Sequence, residues 1–122
     1  MLHLKLMLSD YFVALKDSGA VLRTYIPDNS QEPSIDRKRP AILILPGGGY
    51  EFTSPREAEP AAIKFVNAGF NAFVLDYSVA PARYPTQLLE ASAALALIRQ
   101  KADEFNTIPV KIAVCGFSAG GH

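Results

Sequence analysis

Residues 41–45 read Ala-Ile-Leu-Ile-Leu, five consecutive apolar side chains with no polar position between them. A strand with one wet face alternates apolar and polar residues. A run without alternation belongs in a strand buried on both faces, as in a parallel sheet sandwiched between helices. The same character returns, after one polar or charged residue, at 71–75 (Asn-Ala-Phe-Val-Leu) and 111–115 (Lys-Ile-Ala-Val-Cys). Helical patterns fill the gaps between these runs. Ser54 reads as an N-cap, with Pro55 at the first helical position and Glu57 completing a capping box. Pro60 argues against one straight helix, so a short turn followed by a helix over 61–68 is predicted. Gly69 should end it in the left-handed conformation, with Phe70 folding back on the last turn. A second helix starts near Pro85 and carries Leu88, Ala91, Leu95 and Ile98 as an apolar stripe for a sheet. Strand–helix–strand–helix–strand predicts an α/β chain with a mostly parallel sheet and right-handed connections.

The N-terminal third has a different grammar. Apolar, β-prone runs at 2–8, 11–15 and 21–26 read as strands, and Asp17-Ser18-Gly19 suggests an antiparallel hairpin between the last two. The polar stretch 27–39, punctuated by Pro27 and Pro33, reads as a surface loop. At 122 residues and 49% hydrophobic content the chain has the size and composition of one folded core. Twelve basic residues balance twelve acidic ones, which argues against nucleic acid or an anionic membrane as partner. The apolar runs are far short of the ~20 residues that span a bilayer. Lys5 and His3 interrupt the first ten residues, so these read as a strand rather than a signal peptide. The single cysteine, Cys115, allows no internal disulfide and agrees with a reducing compartment, making the cytoplasm the default location.

Two motifs carry chemistry. Gly116-Phe117-Ser118-Ala119-Gly120 directly follows the third buried run. A nucleophile must stand clear of the sheet, so the strand turns sharply into a helix and small residues on either side of the serine let strand and helix approach. The pattern arises by chance in roughly one chain in twenty or thirty of this length, so its position between a buried strand and a helix start matters more than its letters. The second motif, Leu45-Pro46-Gly47-Gly48-Gly49-Tyr50, follows the first buried run. A glycine run there can aim backbone N–H groups at an oxyanion, since no β-carbon blocks the approach. Neither glycine cluster completes a phosphate-binding pattern, which argues against nucleotide binding.

With these residues in view, the chain resembles the α/β-hydrolase esterases of the hormone-sensitive-lipase and acetyl-xylan-esterase-like kind. The resemblance covers residues 39–122 and rests on PGGGY at 46–50, SPREAEP at 54–60, LDYSVAP at 75–81 and GFSAGGH at 116–122, in that order. It implies the N-terminal part of an α/β-hydrolase domain over residues 1–122, cut just after the nucleophile elbow. It implies Ser118 as the nucleophile and the backbone N–H groups of Gly48, Gly49 and Ala119 as the oxyanion hole. Pro46 stands where many relatives have histidine, which is similar to the sugar-acetate esterase branch. Tyr50 and Phe52, beside the oxyanion loop, are candidates to line the substrate pocket. The implied substrate is a small acyl ester, acetylated carbohydrate among the options. Two alternatives stand beside it: a non-catalytic ligand-binding protein on this fold, and a prolyl-oligopeptidase-like peptidase.

In this fold an acid and then a histidine follow the nucleophile along the chain. Only Ala119, Gly120, Gly121 and His122 follow Ser118 here, and His122, four residues on, should point along its helix away from the serine hydroxyl. The triad acid and base are therefore expected beyond residue 122, in a longer polypeptide, and the chain alone should be nearly inert. His3 reads as a strand residue, Asp76 as a turn after a strand, Asp103 as part of a helix C-terminal region, and Cys115 as a buried strand residue. Without later strands, 111–115 would form an exposed apolar edge. Nothing in the sequence calls for a metal or an organic cofactor.

Overall fold

In the computed structural model the described residues are 1–27, 38–45, 55–76 and 86–116. They form a five-stranded mixed sheet: β1 (Lys5–Met7), β2 (Val21–Tyr25), β3 (Arg39–Leu45), β4 (Asn71–Asp76) and β5 (Thr107–Gly116). Helix α1 (Pro55–Asn67) joins β3 to β4, and α2 (Thr86–Gln100) precedes β5. The strand order is β1-β2-β4-β3-β5. β3 is parallel to both β4 and β5, whereas β2 is antiparallel to β1 and to β4.

The unbroken apolar runs are explained by two cores on opposite faces. Ala41, Leu43, Phe73 and Leu75 turn to one side, where they meet Ala94, Leu97 and Ile98 of α2. Ile42, Ile44, Ala72 and Val74 turn to the other, against Ala58 and Ala62 of α1. The period of two along each strand thus feeds two layers of helix. The β3–α1–β4 and β4–α2–β5 crossovers run in opposite directions along the sheet and lie on opposite faces, so they share one hand, as such connections do.

Several local expectations are corrected. Residues 11–15 are not a strand: two 3₁₀ turns, Leu8–Asp10 and Val13–Leu15, carry the chain from β1 to β2. The Tyr11, Leu15 and Lys16 amides close these turns by donating to the Leu8, Phe12 and Val13 carbonyls at 2.9–3.2 Å. β2 already has a neighbour on each side, so the sheet offers this segment no place, and its apolar residues serve as plugs instead. Leu8 and Leu15 are buried while Val13 is 89% exposed. The antiparallel partner of β2 is β1, paired Lys5↔Arg23 to Met7↔Val21, with a bridge at Leu2↔Ile26. Ser18, expected in a hairpin turn, donates its hydroxyl to the buried Glu90 carboxylate on α2 at 2.6 Å and accepts the Ala20 amide at 3.0 Å. Most of the surface loop expected over 27–39 lies outside the described residues, and its last residue, Arg39, instead opens β3 and is buried.

Helix α1 is continuous through Pro60, against the expected break. Pro60 lies close to the N-terminus and is exposed, so its missing N–H removes only one ladder bond. Ser54 and the side chain of Glu57 lie outside the described residues. The C-terminus is as predicted: Gly69 has φ +100°, its amide donates to Val66 O at 3.1 Å, and the Phe70 amide donates to Phe65 O at 3.0 Å. The Phe70 ring closes edge-on against Phe65 at 5.8 Å, completing a Schellman motif with its apolar contact. On α2 the buried face is Glu90, Ala94, Leu97 and Ile98, whereas Leu88 is 52% exposed and Ala91 and Leu95 only half-buried. The predicted stripe is rotated because Ala and Leu surround this helix and leave its phase open.

Candidate functional site

The elements that should carry the site are set by strand ends. β3 ends at Leu45 and β5 at Gly116, and these two residues are paired on adjacent parallel strands. β4 flanks β3 on the other side, with Ile44 opposite Val74, and ends at Asp76. The chain therefore leaves the sheet three times along one edge, within two strand spacings, or about 10 Å. β3 is also the strand at which the connections diverge, since its own crossover leads to β4 while β5 enters on its opposite side. In open α/β sheets ligands bind in the crevice outside the carboxyl ends of the strands at such a point. Ser118, Ala119, Gly48, Gly49, Tyr50, Phe52 and His122 all lie outside the described residues. The strands that lead into their segments are side by side.

The other titratable candidates can be located directly. His3 is at the far end of the sheet, next to Thr24 and Tyr25, and Tyr25 is opposite Ala72 near the start of β4. Its Nδ1 is 2.8 Å from the Thr24 carbonyl oxygen and its ring lies 4.6 Å from that of Tyr25, a structural role. Asp103 is exposed and pairs with Lys38 at 3.1 Å. Cys115, expected in the interior, is half-buried, because β5 is an edge strand. Val110 and Val114 of that strand are 87% and 51% exposed, as the expected apolar edge requires.

Asp76 has more to it than a turn residue. It closes β4 at the site edge, and its Oδ2 lies 2.5 Å from Nε of Arg23 on β2. Both side chains are largely withdrawn from water, at 18% and 29% exposure. Burial pushes the Asp76 carboxyl up from the ordinary carboxylate value, and the Arg23 guanidinium, with Lys5 further off, pulls it part of the way back. Nearby, burial and then Glu59 of α1 push the Tyr25 phenol up, with Arg23 opposing. Sequence reading missed the pair because Arg23 and Asp76 are 53 positions apart, a difference of 76 and 23. Among the described residues no group of three or more His, Cys, Asp or Glu could hold a metal ion, and no helix is long and apolar enough to cross a membrane.

Comparison with known proteins agrees with this architecture. Across its full length the chain superimposes on MGS-M1, an α/β hydrolase from a Medee basin deep-sea metagenome library, with a TM-score of 0.87, 47% identity and 48% of that chain covered. An acetyl ester-xyloside bifunctional hydrolase from Caldicellulosiruptor lactoaceticus matches over 98% of this chain and 44% of its own, with a TM-score of 0.82 and 34% identity. Endo-1,4-beta-xylanase B of Butyrivibrio fibrisolvens is 40% identical over 91 residues, 71% of this chain and 14% of that protein. The chain thus spans under half the length of these solved relatives. The model of the BD-FAE family matches residues 22–122, taking in the strand ends and both glycine motifs, and the chain belongs to that family of α/β hydrolases.

Proposed function

We propose that the polypeptide bearing these residues is a serine carboxylic ester hydrolase acting on small acyl esters, above all acetyl groups on carbohydrate. One observation carries the reading: the Leu45↔Gly116 pairing, which starts the glycine-run segment and the serine segment from neighbouring strand ends. A serine ester hydrolase needs that adjacency, because the oxyanion donors must lie ~3 Å from an oxygen on the carbon that the nucleophile attacks. In this mechanism the Ser118 hydroxyl attacks the ester carbonyl and a histidine base takes its proton. Backbone N–H groups of Gly48, Gly49 and Ala119 hold the oxyanion. The protonated histidine then releases the alcohol, and water hydrolyses the acyl-enzyme by the reverse sequence. The histidine and its carboxylate come from beyond residue 122. Tyr50 and Phe52 offer apolar surface to the acyl group. The preference for acetylated carbohydrate rests on Pro46 ahead of the glycines and on the relative that is an acetyl ester-xyloside hydrolase.

The test is covalent labelling. A fluorophosphonate should modify the full-length protein once, on the peptide containing Ser118, and Ser118→Ala should lower hydrolysis of 4-nitrophenyl acetate by at least about 10⁴-fold. An unlabelled serine in an active preparation overturns the reading.

A further inference from the structure

Asn71 and Thr107 are both fully buried, and their side chains meet where β5 begins. The Asn71 amide nitrogen, Nδ2, donates toward three acceptors: the Phe105 carbonyl at 2.9 Å, the Asn106 carbonyl at 3.0 Å and the Thr107 hydroxyl at 2.8 Å. These partners fix which end of the amide is which. The reversed orientation would press Oδ1 against two carbonyl oxygens and lose both bonds. Oδ1 is therefore the atom left over. It is withdrawn from solvent, and no donor among the described residues reaches it. A buried amide oxygen in that state forfeits the hydrogen bond that it makes to water in the unfolded chain.

Thr107 has spare capacity as well. Its Oγ1 donates to the Phe105 carbonyl at 3.0 Å and accepts from Asn71, which uses one of two lone pairs. The two carbonyls, by contrast, are full: Phe105 O accepts from Asn71 and Thr107, and Asn106 O from Asn71 and the Arg39 amide. Covalent geometry holds Oδ1 about 2.3 Å from Nδ2. With Nδ2 at 2.8 Å from Oγ1, the two oxygens are at most about 5 Å apart. One water donating a hydrogen to each spans that separation, since each such bond reaches about 2.5–3.0 Å. Two polar partners are enough to hold an internal water. Ala41, opposite Asn71 on β3, and Ala102, whose carbonyl takes the Thr107 amide at 2.9 Å, carry only methyl side chains and take up little space. We propose that Asn71 Oδ1 and Thr107 Oγ1 bind one internal water, which completes the junction between β4 and the start of β5.

A crystal structure of the full-length protein, at a resolution that shows ordered solvent, tests this directly. Density is expected for one water about 2.5–3.0 Å from both Oδ1 and Oγ1. No density touching both oxygens, or a protein donor seated on Oδ1, overturns the proposal. Relaxation dispersion of the water oxygen gives a second readout, in solution. Thr107→Val keeps the shape of the side chain and removes the acceptor. In that variant the density should vanish and the signal from long-lived water should fall by one molecule's share. Thr107→Ser, which restores the hydroxyl, should retain both. A merely structural role for Thr107 would lower stability in the valine variant and leave the long-lived water unchanged, and that result also overturns the proposal. Should Thr107→Val not fold, the wild-type density still decides.

Discussion

Asn71 looks like nothing more than the polar first residue of an apolar run, yet it is fully buried at the start of β4. Its amide Nδ2 reaches the Phe105 carbonyl at 2.9 Å, the Asn106 carbonyl at 3.0 Å and the Thr107 hydroxyl at 2.8 Å. These groups lie where the chain passes from α2 into β5, and Asn106 there takes φ +49°. The same turn is held from β3 by the Arg39 amide, which donates to Asn106 O at 2.9 Å. One side chain therefore ties the entry of β5, the strand that leads toward Ser118, to the middle of the sheet. An aspartate in its place would set carboxylate oxygens against two carbonyls inside a buried site. Asn71→Asp should cost about 3 kcal/mol or more, from lost donors plus a buried charge, while Asn71→Ser should cost less. Urea unfolding at neutral pH checks both, with the gap between them narrowing as the pH falls toward the ordinary carboxylate range, because burial raises the folded-state acid and its protonation removes the charge.

At the scale of elements, helix α1 shows which sequence signals are strong. Its C-terminal stop is set by chemistry within six residues: glycine relieves the left-handed conformation, and Phe65 and Phe70 close over it. A β-carbon on Gly69 would meet no atom within 4 Å, so replacing it tests backbone conformation alone. Gly69→Ala should lower stability by about 1 kcal/mol, read as a fall in Tm, and Gly69→Asn by less. Pro60 is the opposite case, a strong local prohibition that its position overrides. Near the helix start the loss of one bond is small beside the packing of Ala58 and Ala62 on the sheet. Pro60→Ala should therefore leave the fold unchanged and not destabilise it, as circular dichroism and thermal melting would report.

For the molecule as a whole, the telling feature is the unequal treatment of the three apolar runs. The run at 41–45 lies in a strand paired on both sides, and the run at 71–75 lies between β2 and β3. The run at 111–115 is in β5, the last strand of the sheet, with Val114 half exposed. An exposed apolar edge offers unpaired backbone groups to other chains, and a charge on it blocks such pairing. Val114→Lys in the 122-residue chain should reduce self-association, measured by light scattering against concentration, with little change in secondary structure. The sequence by itself determined the α/β class, the core strands from their unbroken apolar runs, the Gly69 stop, and the two glycine motifs behind the first and third strands. All are local, readable from side chains within a few positions of one another. It left open the phase of α2, where alanines and leucines face every side, and it misread 11–15, where apolar residues plug a core instead of extending a sheet. Only the tertiary structure decided that β3 lies between β4 and β5, that Glu90 faces inward to Ser18, that Asn71 grips the turn before β5, and that Arg23 meets Asp76. Each of these joins positions far apart in the chain, and the free energy that selects them, burial of two helix layers on one sheet, exists only once the whole sheet has assembled.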